Sequence, residues 1–124
     1  MAMTIDDMLL VARKSLQRLA AEDLAAELAA GAVLVDIRPA AQRAAEGGVA
    51  EALVIERNVL EWRCDPASDA RIPQAVNHDV RWIILCSEGY TSSLAAASLQ
   101  QLGLHRATDV VGGYRALAAH HDAR

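Results

Sequence analysis

The chain has 124 residues, which fits one domain and suffices for a single hydrophobic core. Its 12 basic and 16 acidic residues leave a net charge of −4 with no basic block, which argues against nucleic-acid or anionic-membrane binding by bulk electrostatics. No apolar stretch is long enough to span a bilayer, and 53% hydrophobic content argues against disorder. The start, MAMTIDDMLL, carries two acids where an export signal wants a positive flank. Cys64 and Cys86 are too few for a secreted disulfide scaffold, so a cytoplasmic, reducing environment is expected. Ala supplies 26 residues and Phe none, so the core must rest on Leu, Val, Ile and small side chains.

Thr4 with Asp6 and Asp7 reads as a helix start, and Ile5, Leu9, Ala12 and Leu16 recur on one face. Basic residues Arg13, Lys14 and Arg18 come in later turns, as the helix dipole prefers. A second helix is predicted over 21–30, stopped by Gly31. The unbroken apolar run 32–35, ending in Asp36, suits a strand buried on both faces. Pro39 opens the next helix and Gly47-Gly48 closes it. Further strands are predicted at 52–55, 82–85 and 110–111. Between the last two, a helix over 91–102 presents Leu94, Ala95, Ser98 and Leu102 inward, widened by Ala97 and Leu99. Residues 63–80, with two prolines and several polar breakers, form a long surface loop with at most a helical turn. Alternating strand and helix signals give an α/β fold with a mostly parallel sheet.

The chemistry concentrates at Cys86-Ser87-Glu88-Gly89-Tyr90-Thr91-Ser92. A buried strand brings Cys86 to its carboxyl end, where open α/β sheets place their ligand sites. The short loop that follows can turn successive N–H groups inward as an anion-binding nest, and the next helix adds its positive end. Gly89 is where a side chain would most obstruct the curl. A buried strand-end cysteine is more often simple core; the glycine turn and the helix directly after it favour a nucleophile in a ring of donors.

These segments together resemble the rhodanese-like family of single-domain sulfurtransferases. Leu34-Val35-Asp36-Ile37-Arg38 resembles its early Asp-x-Arg strand motif, and Cys86 to Ser92 its active-site loop. Leu99 to Gly103 resembles its helix end, and Val110-Val111-Gly112-Gly113-Tyr114 its late strand with a double glycine. The resemblance implies a central five-stranded, mostly parallel sheet flanked by helices on both faces, spanning 19–120. Residues 1–18 then form an N-terminal helical extension and 121–124 a tail. It further implies that Cys86 takes sulfane sulfur from a small-molecule or protein donor, becomes a persulfide, and passes sulfur to a thiol or cyanide acceptor. Ser87, Glu88, Gly89, Tyr90, Thr91 and Ser92 would cradle that sulfur, with no cofactor. Glu88 stands where anion-using members tend to carry a basic residue, which disfavours thiosulfate as donor.

Other signals read as structural. Asp36 and Arg38 suit a supporting ion pair, since a carboxylate beside an anion site is counterproductive. Trp62 and Trp82 suit core edges, His120 and His121 a solvated tail, and Cys64 a chance thiol rather than a resolving one. His78 and His105 have no ligand-spaced partners, so no metal site is expected. Two other readings compete: a non-catalytic rhodanese-like module that binds or carries sulfur for a partner, and a phosphatase or arsenate reductase on the related scaffold. The last needs Cys-x5-Arg, and that position holds Ser92.

Overall fold

The computed structural model describes residues 2–122. Helix α1 (Ile5–Arg13) starts with a capping box: Asp7 N–H donates to the Thr4 hydroxyl, and Thr4 N–H donates to the Asp7 carboxylate. Leu9 and Ala12 are buried, but Ile5 is exposed, and the helix ends before Leu16, which reaches the core from the following turn. A 3-10 turn (Ala21–Asp23) leads into α2 (Leu24–Ala29). Then follow β1 (Val33–Asp36), α3 (Ala40–Glu46), β2 (Leu53–Val54), α4 (Leu60–Cys64), β3 (Trp82–Leu85), α5 (Thr91–Gln101), β4 (Thr108–Asp109) and α6 (Gly113–Asp122). No helix among the described residues is long and apolar enough to cross a membrane.

The sheet is wholly parallel, in the order β2-β1-β3-β4. It has four strands rather than the expected five. The fifth position is a single bridge between Leu19 and Val110, closed by Leu19 N–H to Asp109 O (3.0 Å) and Val111 N–H to Leu19 O (2.8 Å). The chain leaves the sheet after that residue because Ala20 already caps the 3-10 turn.

Successive residues of the central strands feed two cores. Val35, Trp82, Ile84 and Cys86 face a cluster completed by Leu60, Cys64, Ala95, Ala96 and Leu99. Leu34, Ile83 and Leu85 face Leu19, Leu24 and Val110, with Tyr114 and Leu117 packed alongside. Both faces of β1 and β3 are therefore dry, which is why their sequences run apolar without alternation.

Several expectations need correction. The last strand lies at Thr108–Asp109, two residues before the predicted one, because its two residues are polar yet fully buried, with the Asp109 carboxylate hydrogen-bonded by Arg18, Ser92 and Ser93. In α5 the inward residues are Ser92, Ser93, Ala95, Ala96 and Leu99, whereas Leu94, Ala97 and Ser98 are half-buried and Leu102 is exposed. Trp62 is exposed while Trp82 is fully buried. His120 and His121 belong to α6 rather than to a tail, and residues 123–124 lie outside the described residues. The long loop is a surface excursion as expected, plugged into the core by Ile72 and Ala75.

Candidate active site

Central strand β3 ends at Leu85 and places Cys86 at the carboxyl edge of the sheet, only 5% exposed. The chain then curls through Ser87–Tyr90 before α5 begins. The Gly89 N–H returns to the cysteine and donates to its Sγ at 3.2 Å. This needs Gly89 in the left-handed region, at φ 83°, where glycine alone is unstrained.

The carbonyls of the curl point elsewhere. Cys86 O accepts from Tyr114 N–H (2.8 Å) and Ser87 O from Arg115 N–H (3.0 Å). These donors lie in the first turn of α6, where backbone N–H groups have no intrahelical acceptor. Gly89 O accepts from Arg13 Nη2 (2.7 Å) and Arg18 Nη2 (2.9 Å). Three carbonyls of the curl are so engaged, and the Gly89 N–H is left to the Cys86 thiol, a donor placed as in an anion nest.

The close approach of α6 rests on Gly112-Gly113. A Cβ on Gly113 would stand 2.5 Å from Cys86 O and 2.7 Å from Gly89 N, and one on Gly89 would stand 2.8 Å from Gly112 N. Loop and glycine pair thus touch backbone to backbone.

Cys86 and the expected cradle residues divide into four groups. Cys86 and Gly89 meet through the N–H to Sγ contact. Ser87 turns its hydroxyl outward to Glu46 (2.9 Å), with Gln42 Oε1 at 3.2 Å. Ser92 is fully buried and donates to Asp109 Oδ2 at 2.7 Å, so its side chain does not line the nest. Glu88, Tyr90 and Thr91 are exposed. Glu88 stands 3.6 Å from Arg115, so its charge is partly compensated. Tyr90 lies under Arg13, whose guanidinium carbon is 5.7 Å from the ring centre.

Asp36 and Arg38 form a buried pair at 2.7 Å, both about 1% exposed. Arg38 also reaches Glu46 Oε1 (3.1 Å) and Gly47 O (2.8 Å), and its guanidinium lies 4.1 Å from the centre of the Tyr114 ring. Hydrogen bonding to Asp36, against the cost of burial, raises the Arg38 pKa further. The Ser87 hydroxyl, helped by Arg38 and opposed by desolvation, holds Glu46 below the usual carboxylate range. Asp36 and Arg38 therefore tie β1 to α3 and, through Glu46, to Ser87.

Sequence reasoning missed a second network behind the curl. Asp109 is fully buried and accepts from Ser92 and Ser93 hydroxyls (2.7 Å each) and from Arg18 (2.8 Å). Arg13 Nε donates to Ser93 Oγ at 2.9 Å. The available signal was a polar pair, Thr108-Asp109, directly before an apolar run, where a strand would otherwise be apolar. Cys64 lies wholly buried at the end of α4, and burial pushes its thiol up to about 12. Among the described residues no group of three or more His, Cys, Asp or Glu is placed to hold a metal ion.

A family model described as the Rhodanese-like domain matches residues 20–120. Among solved structures, a protein of unknown function from Rhodopseudomonas palustris, described as a possible tyrosine phosphatase, is 28% identical with a TM-score of 0.86. The match covers 98% of this chain and 93% of that one. A human single-domain sulfurtransferase is 26% identical (TM-score 0.66; 82% of this chain, 95% of that one). A rhodanese homologue from Thermus thermophilus, 22% identical (TM-score 0.59; 81% and 99%), shares the fold. A search of curated proteins found no significant match.

Proposed function

The chain belongs to the rhodanese-like domain family, and from that membership we propose that it is a sulfurtransferase working through a persulfide on Cys86. The Cys86 thiolate attacks the outer sulfur of a sulfane donor. A new S–S bond forms, the donor's bond to that sulfur breaks, and its electron pair leaves with the rest of the donor. An acceptor thiolate or cyanide then attacks the terminal sulfur, and Cys86 departs as a thiolate. Two half-reactions through one covalent intermediate make this ping-pong nucleophilic catalysis.

The observation that carries the reading is the Gly89 N–H directed at Cys86 Sγ from a curl whose carbonyls are engaged elsewhere. A persulfide is an anion, and preorganised N–H donors stabilise it without reorganisation. The similarity to the human single-domain sulfurtransferase supports the same chemistry.

The phosphatase description of the Rhodopseudomonas protein invites comparison. Phosphatase chemistry on this scaffold needs a guanidinium six positions after the cysteine. Here Ser92 occupies that place and spends its hydroxyl on buried Asp109, so oxyanion clamping has no side chain there. Cys86→Ala tests the proposal: sulfur transfer is lost while the fold persists, with Cys64→Ala as control. Transfer retained in the Cys86 variant overturns it; a protein that binds partners but never carries sulfur on Cys86 is a non-catalytic module.

A further inference from the structure

The family match begins at residue 20, yet two side chains from the segment before it touch the cysteine loop. Arg13, the last residue of α1, spans Ser93 Oγ and Gly89 O. Arg18 spans the Asp109 carboxylate and the same Gly89 O. Two guanidinium groups thus converge on one backbone carbonyl, three residues after Cys86.

That carbonyl belongs to the peptide between Gly89 and Tyr90. In a trans peptide the C=O and N–H point opposite ways, so an oxygen held against α1 turns the Tyr90 N–H away from α1. Gly89 is free to rotate this peptide, since it has no Cβ to resist. Rotated by half a turn, the oxygen would bring negative partial charge to the side that must receive an anionic sulfur. Arg13 and Arg18 oppose that rotation by charge-assisted bonds, which are the stronger class of hydrogen bond.

We propose that Arg13 and Arg18 are positioning residues of the cysteine loop, locking the Gly89–Tyr90 peptide with its oxygen outward and its N–H toward the sulfur cradle. This gives the N-terminal extension a role in the reaction, resting on the reading of Cys86 as the sulfur-carrying thiol. Arg13 is the more tractable of the two, because Arg18 also neutralises a fully buried carboxylate.

The test follows iodoacetamide alkylation of Cys86 against pH, with the adduct mapped to its peptide by mass spectrometry. It needs no sulfur donor, so failure of the sulfurtransferase reading would show separately, as wild-type protein that alkylates normally but transfers no sulfur. Arg13→Gln is expected to slow alkylation at neutral pH by about threefold or more and to displace the rate profile to higher pH. Arg13→Lys, which restores the charge and one donor, recovers part of the loss. Arg13→Met, which keeps the stem over Tyr90, carries the same expectation as Gln and serves if the shorter polar chain fails to fold. Profiles of Arg13→Gln and Arg13→Met superimposable on wild type would overturn the proposal.

Discussion

Cys64 and Cys86 share one hydrophobic cluster, yet their surroundings ask different things of a thiol. Cys86 receives an N–H from its own loop. Cys64 is raised from 9.0 to about 12, chiefly by burial, with the charge of Glu61 adding to it. A thiol whose native value lies above its unfolded one contributes stability below pH 9 that is lost as pH climbs toward 12. By linkage that loss has an upper bound of about 4 kcal/mol. Denaturant titrations from pH 8 to 11 should therefore fall more steeply for wild type than for Cys64→Ala, and parallel curves would contradict the assignment. Glu88 belongs to the same scale. Its carboxylate and Arg115 are both more than half exposed, and such pairs contribute up to ~1 kcal/mol. Glu88→Lys should raise thiosulfate turnover up to about fivefold at low salt, and Glu88→Gln less; a neutral donor should respond weakly. Unchanged thiosulfate rates in both variants would show that Glu88 does not select the donor.

The unit that builds the site is an element pair: the β3–α5 curl laid against the start of α6. Gly113, at φ 59°, lets Cys86 O, Glu88 N and Gly89 N approach closer than any Cβ would permit. Gly113→Ala should cost roughly 1–3 kcal/mol of stability and reduce sulfur transfer at least about tenfold. Gly48→Ala, where a Cβ meets nothing within 4 Å, is the matched control and should stay within about 0.5 kcal/mol. Equal behaviour of the two variants would remove the backbone contact from the account. This element pair also shows what a sequence can reveal. The curl was legible because an unbroken apolar run, a cysteine, a glycine and a helix start follow one another in Ile83–Ser92. Strand β4 was displaced in the reading because Thr108 and Asp109 are polar and yet fully buried. The face of α5 was misjudged for the same reason: Ser92 and Ser93 turn inward to meet Asp109. Buried polar networks carry no hydrophobic periodicity, so a pattern of apolar residues cannot register them.

Across the whole molecule, two arginine networks, each built on a buried aspartate, hold the site. Arg38 gathers β1, α3 and the Tyr114 ring of α6; Arg18, next to the bridge residue Leu19, joins β4 to the curl. The Asp36–Arg38 half was legible as a local Asp-x-Arg pair. The Arg18–Asp109 half was not, because its partners lie 91 positions apart. Removing one partner of a buried pair leaves an uncompensated charge, so Arg38→Met should destabilise the fold by about 3–5 kcal/mol. Glu46, held below its ordinary 4.5, adds stability above that pH that is lost as acidity increases through its native value. Wild type should therefore lose stability below pH 4.5 more steeply than Glu46→Gln, as acid-unfolding curves of the two would show.

The proposed reaction turns on a single sulfur atom carried by Cys86, and the most direct measurement weighs it. Protein treated with a sulfane donor, stripped of excess reagent and analysed intact and as peptides should carry one added sulfur on the peptide containing Cys86. Cyanide should remove it, and Cys86→Ala should never acquire it. A donor-treated wild type whose Cys86 peptide keeps the mass of the free thiol, across thiosulfate and persulfide donors alike, would contradict sulfur transfer by this protein.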